Sequence, residues 1–144
     1  IRDSHRSAFA ACFDSDGDPV WLTHWKGEGD TEVTRARTGV DGGLYVVGQH
    51  IGPTVIRTAD ASKTLESGGD GFDSFLVILS PNGEFRDAWT WGGNGSEYAF
   101  GLSVDRIGNA YVAGDYHGSV ELDFAELPGF IPQEGVYVVK VALE

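Results

Sequence analysis

The chain has 144 residues, enough for one modest domain or a few repeat units, and its 41% hydrophobic content is sufficient to bury a core. A formal charge of −12 without any Lys/Arg cluster excludes a phosphate-backbone surface and disfavours an anionic membrane. No apolar run reaches the roughly 18 residues of a membrane span, and the single cysteine, Cys12, excludes an intrachain disulfide or a Cys/His zinc spacing.

Glycine, at 21 residues, is about twice as common as usual, and it occurs with many aromatic and β-branched residues. That mixture predicts short strands joined by tight turns. In chain order, the apolar run at Phe9 leads into "DSDGD", Asp14 to Asp18. Three alternating carboxylates around Gly17 suggest a calcium loop. The EF-hand pattern fails, because with Gly17 in sixth place the first ligand would be Cys12. The reading preferred here is a turn whose aspartates bond their own backbone, with calcium at most weak and peripheral. "VWLTHW" follows, then "GEGD", and then a strand ending in "YVVG". "RTADASKTLESGGDG" shows no period and is expected to be a long loop. "FLVIL" is a strand, "SPNGE" a turn, and "FRDAWTW" alternates as a half-buried strand does. "GGNGS" is a loop, "YAFGLSV" a strand, "DRIGN" a turn and "AYVAG" a strand, and "VYVVKV" ends the series. No segment carries a helical period.

The elements repeat. At a constant offset of 66, Phe9 falls on Phe75, Gly17 on Gly83, Trp25 on Trp91, Tyr45 on Tyr111 and Gly48 on Gly114. At an offset of 62, Tyr137 falls on Phe75. The expected organisation is one segment, 1–144, with repeat 1 at about 7–72, repeat 2 at about 73–134 and the start of a third at about 135–144. Four antiparallel strands per repeat is the plan of a β-propeller blade, so the expected fold is all-β, about two blades plus a terminal strand. An all-β sandwich is the rival, but it does not require the repeat.

The second repeat, "SFLVILSPNGEFRDAWTWGGNGSEYAFGLSVDRIGNAYVAGDYHGSVELDF", resembles the bacterial SBBP-type β-propeller repeat. Its aromatic strands, "GG", Val-Asp and "GNxYVxG" carry the resemblance. Cys12 and Ile78 stand where such repeats often have Lys, and only Lys140 fits. Gly43 replaces Asn109, which predicts a less regular inner hairpin in repeat 1. The resemblance implies a bacterial secreted or envelope protein, although the chain starts with Ile and shows no signal peptide.

Residues that could carry chemistry are few. His5, His24, His50 and His117 show no metal spacing, and "GEGDTE" and "GGNGSE" precede no helix. Trp25 and Trp91 share one place in the repeat and read as core. Trp21 and Trp89 are not equivalent, and they are the candidate ligand-binding residues, as a sugar-stacking platform. Asp115, Glu121 and Asp123 could supply paired acids for glycoside hydrolysis, but nothing in the sequence selects a pair. The expected function is therefore a non-catalytic scaffold or interaction module without a cofactor, bound to a protein partner or further blades. It would be an oligomer or part of a longer chain, with the partner surface on the loops at 51–73 and 118–135. The alternatives are a carbohydrate-binding module using exposed aromatics and a glycan-active enzyme using acidic loop residues.

Overall fold

The computed structural model describes residues 5–118, 120–121 and 134–143. Its regular elements are twelve strands, all paired antiparallel. They are β1 (Ala8–Phe13), β2 (Pro19–Gly27), β3 (Thr31–Thr38), β4 (Leu44–His50), β5 (Thr54–Arg57) and β6 (Ser62–Leu65), then β7 (Asp73–Leu79), β8 (Phe85–Gly93), β9 (Ser96–Val104), β10 (Ala110–His117), β11 (Val120–Glu121) and β12 (Glu134–Val141). Three sheets result, in the orders β1-β2-β5-β6, β11-β8-β7-β4-β3 and β12-β10-β9.

Several residues 66 apart pair in matching ways. Phe9 pairs with His24 as Phe75 pairs with Thr90, and both hairpins slip register at the same place, after Cys12 and after Ile78. Leu44 faces Leu79 as Ala110 faces Val141. Gly27 pairs with Thr54 as Gly93 pairs with Val120. The sheets, however, are out of phase with the sequence repeat. The four strands of "FLVIL" to "AYVAG" do not share a sheet: β7 and β8 join β3 and β4, while β9 and β10 join β12. The middle and third sheets thus join strands of one repeat to strands of the following one, while the described strands of the first sheet all come from repeat 1.

The middle sheet is covered on both faces, which explains the uninterrupted apolar run in β7. All seven residues of that strand are buried. Phe75, Val77 and Leu79 pack with Trp25, Ile56 and Leu65 of the first sheet. Leu76 and Ile78 pack the other way, with Ala99, Leu102, Val112 and Val139 of the third. Trp25 and Trp91 are both buried, as their shared place in the repeat predicts. Each such side chain contributes on the order of 1.5–3 kcal/mol by leaving water.

The hairpin turns share one device. Asp16 and Asp18 N–H donate to Asp14 Oδ1 at 3.0 and 2.9 Å. Asn82 and Glu84 N–H donate to Ser80 Oγ, and Ile107 and Asn109 N–H to Asp105 Oδ1. The fourth residue of each turn is a glycine with positive φ: Gly17, Gly83 and Gly108. In the β3–β4 turn Gly39 occupies the capping place and has no side chain to offer. The backbone bonds are nevertheless the same, from Gly39 N to Gly43 O and from Gly42 N to Gly39 O, so the inner hairpin of repeat 1 differs in its cap and not in its backbone course.

The loop expectations need correction, because the stretch 51–73 contains two strands, β5 and β6. The stretch expected to be a long loop contains β6, paired with β5 through a turn closed by Thr58 N–H to Ala61 O at 3.0 Å. "SKTL" buries only Leu65, so it shows no alternation from which a strand could be read.

Candidate functional site

At one end of the middle sheet, β7 starts at Asp73 beside the end of β8. The loop before β7 lies against the β8–β9 loop. Glu97 N–H donates to Phe72 O at 2.7 Å, and Phe72 N–H to Ser96 Oγ at 3.2 Å. These bonds draw the starts of β7 and β9 together. Gly68 N–H donates to Asp73 Oδ2 at 2.5 Å. Asp73 Oδ1 and both carboxyl oxygens of Glu97 are buried and accept no well-formed hydrogen bond among the described residues, although the Gly93 amide lies close enough to favour the Glu97 carboxylate. The two carboxyls meet over Gly92, where a Cβ would overlap that of Asp73 and come within 2.9 Å of Glu97 Oε2. Only glycine leaves room for both groups at this point.

A cavity of about 160 Å³ opens beside Asp73, lined also by Glu66, Thr90, Trp91, Gly92 and Asn94. Asp73 is 2% exposed and forms part of the wall, and Glu97 is fully buried. Burial, and then the Asp73 charge, push the Glu97 carboxyl up to about 7, a rise the Gly93 amide only partly offsets. His50, opposite Asp73 in the sheet, is no counter-ion. Burial pushes its pKa down, Nδ1 donates to Gly52 O at 2.8 Å, and Nε2 lies 3.0 Å from Thr90 Oγ1. Next to Trp91, Tyr137 O–H stands 2.9 Å from Ser74 Oγ, and burial raises the phenol to about 12. The place of Glu97 in repeat 1 belongs to Thr31, which is buried and bonded to Thr54 Oγ1 at 3.0 Å. Repeat 1 thus satisfies with two hydroxyls a position that repeat 2 fills with an unpaired acid.

The residues singled out from the sequence lie elsewhere and do not converge. Trp21 and Trp89 are half-buried in different sheets and pack on different cores, so they form no common platform. Trp21 Nε1–H donates to Pro81 O at 3.0 Å, and its ring covers Gly83. The Asp14 carboxylate accepts from its own turn. His24 is half-buried, while His117 is exposed, 3.8 Å from Glu134. Asp115 Oδ1 is buried without a hydrogen-bond partner among the described residues, Asp123 lies outside them, and the Glu121 side chain is not described. Among the described residues no three His, Cys, Asp or Glu are grouped to hold a metal ion. Sequence reading passed over Asp73 and Glu97, which look like loop acids. The available signal was that Glu97 precedes Ala99 by two residues in β9 and so shares its inward face. No protein-family model and no curated protein matches the chain.

Proposed function

We propose that the chain is a section of a β-propeller, serving as a non-catalytic scaffold or interaction module that further blades or other copies complete. One observation carries this reading: the outer sheets lack, among the described residues, strands that the repeat would supply. The middle sheet has β3, β4, β7, β8 and β11 in a row. In the first sheet β1, the counterpart of β7, is an edge with no strand of the β4 kind beside it. In the third sheet β12, a second counterpart of β7, is an edge with no strand of the β8 kind. The outer faces match this pattern. Phe9, Phe13, Val20 and Leu22 are 58–71% exposed on the first sheet, and Val136 and Val138 are 81% and 74% exposed on the third. Exposed apolar faces and open edges are unfavourable in a free monomer. The resemblance to the SBBP-type repeat supports the same reading and a secreted or envelope setting.

Light scattering on the purified chain tests it. An oligomer of the 15.4 kDa chain, or a complex with a second species, is expected. A soluble 15.4 kDa monomer at tens of micromolar would overturn the reading.

A further inference from the structure

We propose that Asp73 and Glu97 form a binding site for a hydrated divalent cation of the calcium kind, entered through the cavity beside Gly92. Three carboxyl oxygens of two neighbouring buried acids accept no well-formed hydrogen bond among the described residues, and Asp73 forms part of the cavity wall. Two buried, uncompensated carboxylates are costly unless a proton or a cation neutralises them. His50 does not do so, because its ring donates to Gly52 and its burial favours the neutral form.

The chemistry of the wall selects the ion. Carboxylates, backbone carbonyls and waters are hard oxygen ligands, which suit calcium and magnesium and not zinc or copper. A cavity of about 160 Å³ leaves room for several waters, each taking about 30 Å³. Glu66 also lines the cavity, but no third acid or histidine is grouped with Asp73 and Glu97 among the described residues, so most of the shell is water and neutral oxygen. Such a low ligand charge predicts weak binding, with Kd on the order of 10⁻⁴–10⁻³ M. Magnesium demands stricter octahedral geometry, so calcium is expected to bind more tightly. The site is separate from the Asp14 turn, whose carboxylate accepts from its own backbone, and it does not depend on how the outer sheets are completed.

The test is thermal unfolding of chelator-treated protein titrated with calcium chloride to 20 mM, beside Glu97→Gln and Asp73→Asn, with calorimetric titration of the same samples. Calcium at 20 mM should raise the wild-type midpoint by roughly 5–10 °C, growing with the logarithm of its concentration, and both variants should lose that shift. The variants remove an uncompensated buried charge, so in chelator at pH 8 they are expected to fold and to melt no lower than wild type. Terbium provides a second readout, since Trp91 on the cavity wall would sensitise its emission. Trp91→Phe should lower that emission several-fold while calorimetric binding persists. A wild-type midpoint that does not respond to calcium overturns the proposal, and so does a shift or a terbium signal unchanged in both carboxylate variants. If the variants fail to fold, the absence of saturable heat in calcium titration of the wild type overturns it equally.

Discussion

At the scale of single residues, the repeat supplies its own controls. Gly17 and Gly83 hold the same turn position with φ of 88° and 78°. A Cβ at Gly17 meets nothing within 4 Å, whereas at Gly83 it runs into the Trp21 ring. Gly17→Ala is therefore expected to cost only the left-handed backbone penalty, about 1–2 kcal/mol. Gly83→Ala should cost that plus overpacking, about 1–3 kcal/mol more, as read from urea midpoints. Glu97 gives a pH signature. Its folded pKa of about 7 lies above its ordinary 4.5, so between those values the folded state holds the proton more tightly than the unfolded state. Stability from this group is then full below pH 4.5 and is lost as pH rises through 7. In chelator, wild-type stability minus that of Glu97→Gln should fall across this window. A flat difference would mean that Glu97 does not titrate there. Asp41 and Asp105, held low by hydrogen bonds from Arg86 and Gly43 and from Asn109 and Ile107, act oppositely in acid. They are common to both proteins and cancel in the difference.

At the scale of elements, β6 adds a fourth strand to the first sheet through one apolar contact. Leu65 is 3% exposed and packs with Trp25, Ile56 and Phe75, while Ser62, Lys63 and Thr64 are exposed. Leu65→Ala should cost about 2–5 kcal/mol. Lys63→Ala should change stability by less than about 0.5 kcal/mol, and chemical denaturation separates the two. The same feature explains why β6 escaped the sequence reading, which rests on repeated apolar positions that "SKTL" lacks. Strands with two or more inward residues, such as β7, β8 and β10, were legible. The pairing of β3–β4 with β7–β8 was not, because a repeat fixes which segments are equivalent and leaves open where one sheet stops. The candidate site was hidden for another reason. "GGNGSE" has the composition of an exposed loop, yet Glu97 is fully buried where its backbone bonds Phe72 of the loop before Asp73.

At the scale of the whole molecule, the two exposed end faces should be complementary to each other and not to themselves. Phe9 is the counterpart of Phe75, which faces the preceding sheet. Val138 is the counterpart of Leu76, which faces the following one. Copies that associate through these faces would do so head to tail, a heterologous contact that continues until a ring closes or a filament forms. A charge on one face should therefore block one joint and leave the other. Phe9→Glu alone and Val138→Glu alone are each expected to be monomeric, because each lacks one half of the only joint. Mixed in equal amounts, they should form a two-chain complex through the Val138 face of the first variant and the Phe9 face of the second, and stop there. Light scattering of the mixture at twice the monomer mass confirms the head-to-tail arrangement. If either variant dimerises alone, the contact is self-complementary. The end faces then do not repeat the packing between the internal sheets, and the propeller reading loses its geometric basis.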